Sequence, residues 1–439
     1  MQRDRLSWRL LPAWCRKKSN SLRIIRDKRK MSSIVRPTTQ RAIQAWILAI
    51  ACCLGPVASQ AGACPFCEAS GPTLAEQIAA ADVVVIATLQ PVAPDADADC
   101  RTFRIVETLK GRNLLGRSLQ IEKNYFGEEP DGSRFYITAN QANDLFWLAP
   151  NPLTDRSVAY LRSLSSLPPE GPGRLAFFQR FLEDREQLLS DDAYGEFARA
   201  SYASLKDFKS QIQHDPLLAW INAPATKPAH RRLYLTMLGV CGNESDLPYL
   251  ERLMHSRDED VRLCLDAAIA CYLRLRGADG LAQVEEQFLN NPGATRPDIS
   301  AAVQAIRFHG EEERVIPKDR LAASLRLLLT RPTLADLVIA DLARWQDWSA
   351  LPTLVALFKQ ADGETAGLRV PIVQYVKACP QPEAKVALQE LSRIDPAAAK
   401  QSSPFFPMYP PKPTADQLPN SASSGGADSA RAPTSRADR

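Results

Sequence analysis

From Arg174 to about residue 395 apolar side chains recur at helical spacing, and this run decides most of what the chain can fold into. Val261, Leu265, Ala268, Tyr272 and Leu275 share one face at i, i+4, i+7, i+11 and i+14, and Leu334, Val338, Leu342 and Trp345 share another. Two segments, Ser245-Asp246-Leu247-Pro248-Tyr249-Leu250 and Ser349-Ala350-Leu351-Pro352-Thr353-Leu354, both read Ser-x-Leu-Pro-x-Leu. They stand 104 residues apart, three periods of about 35. Proline suits a first helical turn, where its missing N–H costs nothing, so each segment is expected to open the second helix of a pair. The pattern predicts helix pairs near 174–213, 230–256, 260–290, 298–330, 334–360 and 366–395, joined by short breaks such as Gly277-Ala278-Asp279-Gly280.

Asp258-Glu259-Asp260-Val261-Arg262, followed by Asp266-Ala267-Ala268-Ile269, resembles the Asp…Val-Arg…Ala pattern of HEAT-type repeats, with a period shorter than the larger members show. Asp191-Asp192-Ala193-Tyr194-Gly195-Glu196-Phe197-Ala198 and the segment Leu334 to Trp345 are similar to stretches of exported bacterial proteins with HEAT-like repeats. That resemblance implies an architecture and no activity. The expected fold class is mainly α: a HEAT-like α-solenoid over 174–395 following a small N-terminal β-barrel-like domain, an α+β multidomain chain.

Residues 64–160 read as the β-rich, OB- or netrin-like part. Val83 to Leu89 is a β-branched apolar run, a strand from Phe103 closes at Lys110-Gly111, and Leu119 to Glu122 alternates. Pro130-Asp131-Gly132-Ser133 is a turn between Tyr125-Phe126 and Phe135-Tyr136-Ile137. Leu145 to Leu148 ends the set, with Pro150 and Pro152 closing it. Residues 157–167 read as a short helix that overlaps the start of a linker at 161–173, whose breaker run is Pro168-Pro169-Glu170-Gly171-Pro172-Gly173. Residues 396–439, rich in Pro, Ser and Ala, are expected to form a disordered tail. Its stretch Ser403 to Pro413 is suited to a polyproline-reading partner or to capping the last repeat.

The formal net charge of +4 conceals a division. Residues 1–41 hold 13 Lys and Arg against two Asp, and from Cys64 onward 41 basic residues face 48 acidic ones. The body is therefore acidic, which argues against nucleic acid as a partner. Arg36 and Arg41 precede an apolar run of 13 residues, Ala42 to Leu54, and small residues follow to Ala61-Gly62-Ala63. A basic region, a short apolar region and an A-x-A site predict a signal peptide over 1–63, with Met31 as the expected true start. The run is shorter than the ~20 residues a spanning helix needs. A cleaved leader leaves no stable membrane span and an exported protein, periplasmic, envelope-bound or secreted; the alternative is an uncleaved anchor.

Cleavage leaves seven cysteines: Cys64, Cys67, Cys100, Cys241, Cys264, Cys271 and Cys379. The last four lie on apolar helical faces and read as buried thiols. Cys64-Pro65-Phe66-Cys67 is the sharpest local feature. One reading is a structural disulfide pinning the N-terminal segment, from Cys64 or Cys67 to Cys100. A second is a redox pair. Glu68 stands where haem attachment requires histidine, and a zinc site lacks ligands. The cysteine pair, the Ala81 to Val84 strand and Phe103…Leu109-Lys110-Gly111 also resemble the N-terminal barrel of tissue inhibitors of metalloproteinases and netrin-like modules. The resemblance implies that the amine and carbonyl of Cys64 chelate a protease zinc. The spacing departs from that family, being C-x-x-C rather than C-x-C.

Asp95, Asp97 and Asp99 have calcium-loop spacing, but Cys100 and Val106 stand where Gly and Glu are required. His214, His230, His255 and His309 show no metal or triad spacing, and no catalytic motif appears. No catalytic residue, metal or cofactor is assigned. Asp336, Asp341 and Arg344 are candidates for a binding face, against the reading of an inter-repeat ion-pair face. The expected function is a non-catalytic protein-binding or scaffold protein of the envelope whose partner is a protein or peptide. The alternatives are an envelope thiol–disulfide protein and a metalloprotease-inhibitor-like module.

Overall fold

The computed structural model describes residues 64–68, 71–92, 100–116, 119–140 and 144–402. The expected leader, the loop with Asp95, Asp97 and Asp99, and the segment from 403 onward lie outside the described residues.

A short helix, α1 (Leu74–Ala80), precedes the sheet, with Thr73 and Glu76 forming a reciprocal capping box. The strands are β1 (Val83–Leu89), β2 (Cys100–Lys110), β3 (Gln120–Asn124), β4 (Arg134–Asn140), β5 (Phe146–Trp147) and β6 (Asn151–Leu153). All pair antiparallel in the order β3-β2-β1-β4-β5, with β6 also on β4. Pro152 does not close the strand set as the sequence implies. It lies in β6, opposite Phe135, at an edge where a missing N–H is tolerated.

The β-branched run of β1 is buried along nearly its whole length because both faces are covered. Val83, Val85, Ala87 and Leu89 enter a core with Phe103, Ile121 and Phe135, while Val84 joins the helical core on the other side. Phe103, Tyr125 and Phe135 meet edge to face at 5.1–5.8 Å, the arrangement that ring quadrupoles favour. The sheet curls toward a barrel: Lys123 on β3 donates from Nζ to the Trp147 carbonyl of β5 at 2.7 Å and lies 4.8 Å from the Phe146 ring. Among the described residues no backbone ladder joins those two edges. Gly111 ends β2 at φ 76°, where a Cβ would stand 2.2 Å from the Asp82 carbonyl oxygen.

After β6 the described chain is helical. Helices α2 (Asp155–Leu164), α3 (Pro172–Gln179), α4 (Gln187–Arg199), α5 (Tyr202–Asp207) and α6 (His214–Asn222) come first. Then follow α7 (Pro228–Cys241), α8 (Leu247–His255), α9 (Glu259–Arg262), α10 (Leu265–Arg276) and α11 (Gly280–Val284), the last continued by a π-helical turn over Glu285–Leu289. The remaining elements are α12 (Arg296–Glu311), α13 (Lys318–Arg326), α14 (Ile339–Arg344), α15 (Leu351–Gln360), α16 (Arg369–Ala378), α17 (Pro382–Ile394) and α18 (Pro396–Gln401). The two Ser-x-Leu-Pro segments open α8 and α15, each after a 3-10 turn, with the proline in the first turn. Helix α18 corrects the expected start of the tail at 396: Asp395 caps it at the Ala398 N–H, and Lys377 donates to the carbonyls of Ala399 and Ser402.

Neighbouring helices pack in chain order, α7 on α10, α10 on α12, α14 on α16 and α15 on α17. One apolar core runs from Cys64 through Tyr160 to Ala398. In α10 every residue from Leu265 to Leu273 is buried, because α7, α8 and α12 cover it on several sides.

Candidate functional site

Cys64 and Cys67 are bonded to each other, with Cα atoms 5.3 Å apart, and the Cys67 N–H donates to the Cys64 carbonyl to close the turn. Cys100 is a free thiol at the start of β2, opposite Asn124 at the sheet edge. This corrects the expected bridge to Cys100. The Cys64–Cys67 loop lies against helices, in the helical core cluster, and not against the sheet edge. Its Phe66 is buried, with its ring 5.1 Å from that of Phe308 on α12, and Tyr202 of α5 meets Phe308 edge-on at 4.9 Å. Leu235 and Gly239 of α7, with Ala270 and Cys271 of α10, line the rest of this seat and leave a void of only about 10 Å³, no larger than one water needs.

Helix α4 holds the segment that follows the loop. The Tyr194 hydroxyl accepts from the Glu68 N–H at 3.3 Å and donates to the Glu68 carbonyl at 3.2 Å, and its ring stacks on His230 at 4.4 Å. Buried Asp192 accepts from the Leu74 N–H at 2.6 Å and from the Tyr160 hydroxyl at 2.6 Å. Arg199 donates to the Gly71 carbonyl and pairs with Glu76. Glu196 takes both arms of Arg174 at 2.8 Å. Gly195 leaves room for Thr73, since a Cβ there would lie 3.2 Å from the Thr73 methyl. The Asp191 to Ala198 segment is thus a cradle for Glu68 and for residues 71–76, a role with no local signal in its sequence.

The thiols are placed for packing. Cys64 is 0% and Cys67 5% exposed, so the disulfide offers an incoming thiolate little surface. Burial pushes the Cys241 and Cys264 thiols up to about 11 and raises Cys271 well above the ordinary thiol value, which keeps them protonated and unreactive. Half-buried His214 meets Asp246 at 3.0 Å and Asp215 at 3.2 Å. These hydrogen bonds raise its pKa against the opposing pull of burial. Among the described residues no group of three or more His, Cys, Asp or Glu side chains is arranged to hold a metal.

The three residues expected on one binding face do not form a free face. Asp341 is 0% exposed and receives Arg307 through two bonds of 2.8 and 2.6 Å, with Arg344 adding a third at 2.7 Å. Arg344 also pairs with Glu311 of α12, and Asp336 pairs with Arg296. Apart from Arg344–Asp341, which lies within α14, these pairs link separate helical segments, as do Arg232–Asp266 and Arg320–Glu285. The partners in these longer links lie 33 to 40 residues apart in sequence.

Arg344 does, however, border a cleft that sequence patterning missed. His309, Glu311, Arg314, Lys318 and Trp345 line it with Ile316, around a volume of about 590 Å³. Trp345 and Lys318 also border a second hollow of about 510 Å³. Trp345 is pressed against Gly310, where a Cβ would lie 2.2 Å from the indole. Gln346 follows at φ 59°, the only non-glycine residue at positive φ among the described residues. Such a conformation costs about 1–3 kcal/mol and persists where the surroundings hold it. Here Asp347 anchors the turn, with its N–H on the Leu342 carbonyl and its carboxylate on Arg326. No known family, curated protein or solved structure matches this chain.

Proposed function

We propose that the chain is a non-catalytic protein-binding scaffold of the cell envelope, built as a HEAT-like α-solenoid on a small OB- or netrin-like barrel. The observation that carries this reading is the seat of Phe66. Helices α7, α10 and α12 form a row, and that row already grips a short loop of chain through an aromatic anchor. A row of stacked helices offers an extended surface of this kind to peptides in general. Ion pairs that recur 33 to 40 residues apart, and two Ser-x-Leu-Pro helix starts 104 residues apart, favour a repeat near 35.

Burial of Cys64 and Cys67 speaks against the alternatives. A thiol–disulfide site needs an exposed sulfur, and protease inhibition through Cys64 needs an accessible amine and carbonyl; Cys64 has neither kind of exposure. The test is site-specific photo-crosslinking in intact cells. Crosslinkers replace exposed Pro65 on the seated loop, Val106 on the sheet and Val386 on α17. Discrete protein adducts from Pro65, absent from Val386, support the scaffold reading. No adduct at any position, or equal adducts at all three, overturns it.

A further inference from the structure

We infer that the cleft beside Trp345 binds an acidic peptide segment of a partner protein, a site that deepens the protein-binding reading and rests on it. The body of the chain is acidic, with 48 Asp and Glu against 41 Lys and Arg from Cys64 onward, yet this cleft is lined by Arg314, Lys318 and Arg344 against the single carboxylate of Glu311. Glu311 is itself paired with Arg344. Arg314 and Lys318 are exposed and form no ion pair among the described residues. Lys318 stands 5.9 Å from the Trp345 ring, so charge and an apolar plane are offered side by side. The second hollow continues past the same two residues and adds Arg320 and Arg326, against Asp319 and Asp347.

The cleft asks for more than a bare anion. Ile316, Pro317 and the indole supply an apolar wall. His309 borders the cleft but is buried: its Nε2 donates to the Ala270 carbonyl at 3.0 Å and its Nδ1 is enclosed, so the ring packs under the site and does not reach a ligand. Burial holds that ring neutral, with its pKa down at about 4. A peptide brings carboxylates for Arg314 and Lys318 and an apolar side chain for Trp345. Phosphate lacks the apolar part.

The test uses the full chain and a fluorescein-labelled pentapeptide with leucine between two pairs of acidic residues. Its counterpart carries the matching amides. Anisotropy is expected to show saturable binding of the acidic peptide and none of the amide one. The Arg314→Glu/Lys318→Glu variant, altered only at exposed positions, is expected to bind about tenfold more weakly or worse with an unchanged thermal melt. No saturable binding overturns the inference, as does binding undiminished in the variant. So does displacement by equimolar inorganic phosphate, or by vesicles of anionic phospholipid, which would assign the cleft to a free anion or a lipid headgroup. Because the probe is synthetic, success here beside failure of the crosslinking in cells would sink the scaffold reading and leave the cleft standing.

Discussion

Asp192 and His309 are buried ionisable side chains that the fold pushes in opposite directions. Burial raises the Asp192 carboxyl from 3.8 to about 6, against the bonds from Tyr160 and Leu74; Glu196 raises it further and Arg174 lowers it. The native state then holds a proton between about 4 and 6 that the unfolded chain has released, so this group's contribution is present at low pH and lost as pH rises through 6. Burial lowers His309 from 6.5 to about 4, against the Ala270 carbonyl and Glu313, with Arg274 lowering it further. Its contribution is present above 6.5 and lost as pH falls toward 4. The two slopes oppose each other over nearly the same window. Urea denaturation at stepped pH should show, relative to the native chain, Asp192→Asn gaining stability as pH rises across 4–6 and His309→Gln losing it; parallel profiles for all three would refute the assignment. Two glycines make a second comparison. Gly310→Ala drives a Cβ into the Trp345 indole at 2.2 Å, overpacking worth about 1–3 kcal/mol. Gly239→Ala meets Cys271 at an ordinary 3.6 Å and should be neutral or stabilise by up to ~1 kcal/mol. Equal effects at the two positions, read from denaturant midpoints, would contradict the packing described.

At the scale of elements, α4 is the part that ties the N-terminal segment to the helices. Tyr194→Phe removes the two bonds to the Glu68 backbone while keeping the ring on His230, at a cost of about 1–2 kcal/mol. Hydrogen exchange should then lose protection in α1 before any other helix. If α1 stays as protected as before, the clasp does not hold that segment. Sequence made the helices legible because proline starts and apolar spacing are local signals, and α8 and α15 begin where Pro248 and Pro352 place them. The stripe from Val261 to Leu275 was only partly right. The helix breaks at Leu263-Cys264, and α10 is buried along nine consecutive residues, so a one-faced pattern understates it. The cradle was illegible for a different reason: Asp192 and Tyr194 act on residues more than a hundred positions earlier, a contact that no period records.

Across the whole molecule, the same distinction explains the candidate sites. The cysteine pair announced a disulfide, but its partner depended on whether residues 64–67 lay beside the sheet or the helices, which only the packed core decides. Asp336, Asp341 and Arg344 announced charge on a helix, and apart from the Asp341–Arg344 pair their partners stand 33 to 40 residues earlier in the chain. The Trp345 cleft needs three separate elements, α12, α13 and the end of α14, to converge. If stability is set by contacts between neighbouring helix pairs, position along the row determines how damage spreads. Leu265 in α10 and Leu391 in α17 are both buried, and truncating either to alanine should cost about 2–5 kcal/mol. Helix α10 has neighbours on both sides in α7 and α12, whereas α17 packs on α15, α16 and α18 at the end of the described chain. Leu265→Ala should therefore lower the main unfolding transition as a whole, because neither flank keeps its partner. Leu391→Ala should uncouple the end: exchange protection falls over α16 to α18 at denaturant concentrations where α7 to α12 remain protected, and the denaturation curve splits in two. A single sharp transition, shifted equally by both substitutions, would mean that the helices unfold as one globular unit and not as a row.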